Sequence, residues 1–373
     1  MVFSDFLTNL LIFWLAIYVI GTLLQRVLRF KSIKLGLFYL ELTSSPDRFN
    51  RILVGLSKVI GPLMKVGILS LIGLSVVSAL WLIDTTLRTL LGPKTPSIVV
   101  VVPGLTVEFS IPILIAIFIA LSTHEFGHAA ASVYSKVPVK KISLFILFIL
   151  IGAFVEPDEE HMKKLASLKR LGIYSSGIMM NLLTSLLVLL IAFSIFPGFL
   201  RSPAGVYVEG VIEGGPSYGI LSPGVVIKEI GGVRVRDIQT LIEALGRFRP
   251  GQEITVVTDK GPFIVKLGSR PDNPEYAWLG VRLSAFPYYE SIIPMPSSVS
   301  ISLLKTIMFT LLFSIGIAAL NSLPIFPLDG GLVISEILTR YLGNETLAKK
   351  ITWAISAPFA LMLVYNVLIF FLS

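Results

Sequence analysis

The chain has 373 residues, 54% of them hydrophobic and only 14% charged, with a net charge of +8 and no cysteine. That balance lies outside the range of soluble globular proteins and marks a membrane protein. Without cysteine, disulfides and thiolate metal sites are excluded, so any metal must be held by His, Asp or Glu, and basic residues gathered beside apolar spans argue against nucleic acid as a partner.

Six apolar stretches are long enough to cross a bilayer, which takes roughly 17–25 residues of helix. They are Phe6–Leu24, Val66–Ile83, Ile111–Ala130, Leu171–Phe196, Thr306–Leu323 and Ile351–Leu372. The first has Asp5 before it, Arg26 and Arg29 after it and no small-residue cleavage site, so it reads as a retained helix rather than a leader. Between the first two spans stand Arg26, Arg29, Lys31, Lys34, Arg48, Arg51, Lys58 and Lys65, against Glu41 and Asp47; the next connection has Arg88 and Lys94. The positive-inside rule makes the first loop cytoplasmic. The segment with Lys136, Lys140, Lys141, Lys163, Lys164, Lys169 and Arg170 is then also cytoplasmic, and the stretch from Arg201 to Ser300 is outside. A short outer strand and turn are expected at Pro96–Gly104, and the first two spans either gate substrate entry or shield the core from lipid.

The third span contains Thr123-His124-Glu125-Phe126-Gly127-His128. A spacing of four puts both imidazoles on one helix face, one turn apart, where they can bind one Zn²⁺. Glu125 projects beside that position and could serve as general base toward a zinc-activated water. Ionisable residues inside a membrane helix are expensive and face a partner or a cavity, which gives the motif more weight than it has on a solvated helix. A site with an open position needs a third protein ligand. Asp329 is the candidate, in Asn321-Ser322-Leu323-Pro324-Ile325-Phe326-Pro327-Leu328-Asp329-Gly330-Gly331, where prolines break the fifth span; the same Asp-Gly pair also reads as a plain turn. Ser143–Val155 is apolar but too short to cross, and the polar run Glu156–His161 after it reads as a solvated loop whose His161 is not expected to touch metal.

From Val206 to Leu283 the pattern changes to short alternating runs, Val206–Val208, Val225–Ile230, Glu253–Val257 and Phe263–Leu267, with one amphipathic helix near Ile238–Leu245. Gly214-Gly215-Pro216-Ser217, Gly224, Ile227, Ile230-Gly231-Gly232 and Val235 resemble a PDZ domain of prokaryotic membrane proteases, except that Val225 stands where an acidic residue is usual. Such a domain implies peptide binding by strand addition; the alternative is a rigid spacer or size filter.

An intramembrane HExxH with a distant Asn-x-x-Pro-x-x-Pro-Leu-Asp-Gly resembles the site-2 protease family of intramembrane metalloproteases, over Ile111 to Gly331. The resemblance implies zinc on His124, His128 and Asp329, with Glu125 activating water. It also implies a role for Asn181, in Ser175-Ser176-Gly177-Ile178-Met179-Met180-Asn181, at the substrate carbonyl or oxyanion. For Ser143–Val155 it implies a membrane-embedded β-hairpin whose edge pairs with an unwound substrate; an interfacial helix or a re-entrant stop is the alternative. The expected molecule is an α-helical polytopic membrane protein of about six transmembrane helices, with that hairpin and an inserted extracytoplasmic α+β PDZ-like domain. Its expected parts are residues 1–110 (N-terminal helices and loops), 111–200 (metalloprotease core), 201–290 (PDZ-like domain) and 291–373 (the helix with the Leu-Asp-Gly motif and the last span). The expected activity is a one-zinc intramembrane endopeptidase in the cell membrane, with its site toward the cytoplasm and a single-span membrane protein as substrate. A metal-binding transporter would not require Glu125 between the ligands, and a PDZ scaffold without catalysis would not need the full residue set.

Overall fold

The computed structural model describes residues 2–27, 32–92, 110–148, 150–194 and 200–372, with isolated positions between 98 and 107. Most of the strand and turn expected at Pro96–Gly104 falls outside them. The chain divides into two compact units, one of Met1–Leu187 with Phe309–Ser373 and one of Val188–Met308.

In the first unit the helices are α1 (Val2–Val27), α2 (Asn50–Leu91), α3 (Ile111–Tyr134), a short α4 (Glu159–Lys163), α5 (Ser167–Ser194), α7 (Ser297–Ser322), α8 (Asp329–Leu342) and α9 (Glu345–Leu372); α5 and α7 continue into the second unit. Among the described residues, five helices are long and apolar enough to span a membrane: Asp47–Leu91, Ile111–Tyr134, Ser167–Ser194, Ser297–Ser322 and Glu345–Leu372. The first expected span is helical as well, but its apolar part, Leu10–Arg26, is shorter. The second is one long helix, so Arg51, Lys58 and Lys65 lie on α2 and not in a loop. Leu69, Leu80, Leu186 and Leu361 are exposed on these helices, as apolar side chains facing lipid would be. Inside, Ile60 and Met64 of α2 meet Ala130 and Ala131 of α3 and Ile173 of α5, while Leu71, Ile178, Ala318 and Val333 join α2, α5, α7 and α8. Small residues at these crossings let backbones approach closely, which is how helices associate where lipid is as apolar as the helices themselves.

Ser143–Val155 forms a hairpin, β3 (Val139–Leu147) and β4 (Leu150–Pro157), and that hairpin belongs to a larger sheet. β1 (Ile33–Gly36) and β2 (Tyr39–Ser44), inside what reads as a basic loop, extend it to four antiparallel strands in the order β1-β2-β3-β4. Tyr39 to Ser44 alternates in the manner of a strand, but runs this short are easily overlooked beside long apolar helices. A buried carboxylate ties the strands together. Glu41 of β2 accepts from Ser143 Oγ at 2.7 Å and Tyr39 Oη at 2.8 Å, and pairs with Lys141, whose ammonium lies 4.7 Å from the Phe154 ring centre on β4. Both hairpins turn on a phenylalanine with positive φ, Phe38 and Phe148, each at 55°. Such a conformation costs a bulky residue of order 1–3 kcal/mol. The two rings stack at 5.3 Å, Trp14 of α1 packs edge-on to Phe38 at 5.9 Å, and the Trp14 indole donates to the Phe148 carbonyl at 2.8 Å. Aromatic contacts contribute about 0.5–1.5 kcal/mol each, enough to offset much of that strain.

The second unit carries β5 (Leu200–Val211), β6 (Val226–Ile230), β7 (Val233–Arg234), helix α6 (Ile238–Leu245), β8 (Glu253–Thr258), β9 (Gly261–Lys266), β10 (Gly268–Ser269), β11 (Ala277–Trp278) and β12 (Val281–Ser291). The main sheet runs β12-β5-β6-β8-β9, with β7 beside β6. Its core is Val206, Val208, Ile227, Ile230, Val256 and Val265, closed by Leu241 and Ala244 of α6. Asp237 begins α6 with a capping box, its carboxylate accepting from the Thr240 N–H at 2.8 Å. The first turns of α7 are held to this unit by an ion pair between Lys305 and Glu209 at 2.5 Å.

Candidate metal centre

α3 delivers His124 and His128 on one face, as the spacing of four requires, and their rings meet edge to face with centroids 4.9 Å apart. Asp329 arrives after the break in the helix that ends α7, as the first residue of α8. A helix N-terminus favours a carboxylate, because unpaired N–H groups there carry partial positive charge. The turn between the two helices is tight: a methyl group on Gly330 would run into the carbonyls of Ser322 and Leu323. The Phe326 N–H donates to Ser356 Oγ of α9 at 2.9 Å, fixing the same segment from the other side.

Three atoms converge. Asp329 Oδ2 lies 3.2 Å from His124 Nε2 and 3.5 Å from His128 Nε2, and the two imidazole nitrogens are 3.2 Å apart. A tetrahedral ion with ligand bonds of about 2.0–2.1 Å sets its ligand atoms about 3.3 Å apart, so the three spacings fit one Zn²⁺. The electrostatics agree. Asp329 is buried and Oδ2 has no hydrogen-bond partner, an arrangement that costs energy unless a cation satisfies it. His124, His128 and Asp329 therefore form a group able to hold a metal.

The groups behind the imidazoles suit that role. His128 Nδ1 lies 2.8 Å from the Ile173 carbonyl of α5, a contact that keeps the proton on Nδ1 and leaves the Nε2 lone pair free. Asn181 of α5 is fully buried, with its side-chain amide 3.3 Å from His124 Nδ1 and 3.3 Å from Thr123 Oγ1. If His124 offers Nε2 to a metal, its Nδ1 carries the proton, and Asn181 must turn its carbonyl oxygen toward it. In this position Asn181 lies against the far nitrogen of a ligand. Gly177, four residues earlier, lies over both rings: a methyl there would sit 2.7 Å from His124 Nε2 and closer still to His128 Nε2. The absent side chain leaves room at the ligand atoms.

Glu125 lies outside the three-atom group, and its Oε2 accepts from the Val155 N–H of β4 at 3.1 Å. His161, on α4, is exposed and its Nδ1 lies 3.2 Å from Asp158 Oδ1. The reading of the residues missed the Ile173 carbonyl and the Val155 amide, since a backbone group leaves no mark on residue type. Glu336 was also missed. It forms a two-pronged pair with Arg170 at 2.7 and 2.9 Å, joining the start of α5 to the helix that begins with Asp329.

Residues 112–365 match peptidase family M50. An uncharacterised protein of Methanocaldococcus jannaschii is 30% identical over 278 residues, 71% of this chain and 69% of the relative. A protein of Arabidopsis thaliana described as a membrane-bound transcription factor site-2 protease homolog is 31% identical over 126 residues, 33% of this chain and 25% of its own length. Among solved structures, the PDZ domain of an SdrC-like protein from Listeria monocytogenes covers 22% of this chain and 90% of its own, at 23% identity and TM-score 0.21. The corresponding domain from Listeria innocua covers 22% and 96%, at 24% identity and TM-score 0.20. A family match across most of the chain, on the segment that brings His124, His128 and Asp329 together, establishes that this protein belongs to peptidase family M50, the site-2 protease family.

Proposed function

We propose that the chain is a zinc metalloendopeptidase that cuts single-span membrane proteins within the bilayer, with the metal on His124, His128 and Asp329. The observation that carries this reading is the buried triangle of two Nε2 atoms and one carboxylate oxygen, 3.2 to 3.5 Å on a side, among helices long enough to span a membrane. Zinc, when bound there, supplies Lewis-acid polarisation of a carbonyl and a water acidic enough to attack near neutral pH.

The chain's own groups do the rest. Glu125 takes the proton from the attacking water as the water oxygen bonds to the scissile carbonyl carbon. It returns a proton to the departing amine nitrogen as the C–N bond breaks. Asn181 acts as a positioning residue through His124, keeping the proton on Nδ1. β4 is the last of the described strands in its sheet, and its unpaired edge can hold an unwound segment extended beside the site. The charge distribution supports a site near the cytoplasmic face and an extracytoplasmic PDZ-like unit, which binds peptide segments or limits the size of what reaches the membrane.

Glu125→Gln is expected to retain one zinc per chain and to lose cleavage of a reconstituted transmembrane substrate by roughly 10²–10⁴-fold. His124→Ala is expected to lose both. Metal analysis combined with a cleavage assay checks this, and undiminished cleavage by Glu125→Gln removes the mechanism.

A further inference from the structure

Glu125 is next in sequence to a metal-ligating histidine, yet its carboxylate is turned to a backbone amide of the neighbouring sheet. The partner is the Val155 N–H of β4, at 3.1 Å. The Val155 side chain is buried with Leu53, Ala129 and Ile142, so the strand is anchored at this point and the amide is not free to drift. β4 ends the sheet order, with β3 on one side and no other described strand beyond it. In an antiparallel strand the N–H and C=O of one residue point to the same side, and alternate residues point to opposite sides. Val155 N–H therefore belongs to the edge that faces away from β3, together with the backbone groups of Ala153 and Ile151. An extended segment lying along that edge needs the same amide for one of its own carbonyls, and a single N–H makes only one well-directed bond.

We propose that the Val155 amide is a positioning group that holds Glu125 away from the scissile bond until an extended substrate strand displaces it. This rests on the protease reading above and adds its control: hydrolysis is switched on by main-chain pairing at Val155. A helical segment, whose carbonyls are bonded within its own helix, leaves the base held. A segment unwound along β4 offers a carbonyl to Val155 and releases the Glu125 carboxylate to take the proton from water. The substrate is recognised at this position as extended backbone, with side-chain identity secondary.

The test uses the full zinc-loaded chain in detergent micelles, with two substrates. One is a peptide of about ten residues, reaching about 33 Å when extended and able to pair along β4. The other is a capped dipeptide that spans the scissile bond alone. Val155→Ala keeps the amide but loses the anchoring side chain, so it is the reference against which the proline variant is read. Val155→Pro removes the N–H at an edge position where proline is tolerated. It is expected to raise kcat for the capped dipeptide by about tenfold, the effect of deleting one charge-assisted hydrogen bond. It should also raise KM for the long peptide, which loses one rung of pairing. A purely structural role would lower both rates together. Unchanged or reduced dipeptide cleavage by a Val155→Pro protein that retains its zinc overturns the proposal.

If Val155→Pro does not retain zinc, infrared difference spectra of the unaltered protein decide. The Glu125 carboxylate band, assigned by its loss in Glu125→Gln, must shift when a non-cleavable extended peptide binds, and an unmoved band overturns the proposal. Should the unaltered protein, zinc bound, cleave neither substrate nor a transmembrane one, the protease reading fails instead. The infrared measurement still reports on the amide.

Discussion

Asn181 separates two kinds of help that an asparagine can give near a metal. Its amide lies 3.3 Å from His124 Nδ1 and is fully buried, so removing it should be felt first by the metal. Asn181→Leu is expected to weaken zinc binding by about 10–100-fold, as the loss of an outer partner of a ligand typically does. Chelator competition measures this. Unaltered zinc affinity with impaired cleavage would return Asn181 to the substrate carbonyl. Residues whose type carries the chemistry were legible in the sequence. His124, Glu125 and His128 have a spacing that only a helix makes useful, and Asp329 sits where prolines stop a span. What surrounds them was not, because the Ile173 carbonyl and the Val155 amide are features of every peptide bond. Gly177 matters through a side chain it lacks, and only the neighbouring helix shows what a methyl would strike.

Among the elements, the four-stranded sheet departs most from its reading as a hairpin beside a basic loop. Lys34, Glu41 and Lys141 count as loop charges in a topology argument, yet Glu41 is buried and linked to Lys141 across two strands. Burial alone would raise the Glu41 pKa. Hydrogen bonds from Lys141, Ser143 and Tyr39, together with the Lys141 charge, outweigh it and lower the carboxyl from its ordinary 4.5 to about 2. A depressed carboxylate pKa stabilises the folded state fully above the unfolded value, and that stabilisation is lost as pH falls through the folded one. Thermal unfolding followed from pH 4.5 down to about 2 should therefore show a falling Tm that Glu41→Gln flattens. Equal acid slopes in both proteins would remove Glu41 as the cause. The helices were easier, since apolar length is a strong signal. The lengthening of α2 to Asn50 was hidden by its basic residues, and α8 by the glycines at its start.

At the scale of the whole molecule, alternating runs between glycine turns located β6, β8 and β9 and the middle of β5, because a soluble sheet with one buried face imposes a period of two, whereas the long edge strand β12 was not read. The side of the membrane on which each part lies rests on charge. A chain without cysteine lends itself to a direct test. Glu243→Cys on α6 and Lys164→Cys after α4, both exposed, are expected to differ in intact cells. Membrane-impermeant maleimide should label the first at once and the second only after permeabilisation; the reverse order would invert the topology.

The aromatic cluster at the hairpin tips also has an optical consequence. The chain has four tryptophans, and Trp14 is the one whose indole is bonded to the Phe148 carbonyl at the turn leading into β4. With Trp81, Trp278 and Trp353 replaced by phenylalanine, emission would come from a single buried fluorophore at the end of the strand that carries Val155. The arrival of a peptide on that strand could then be followed in real time by light, without attaching a label to either partner.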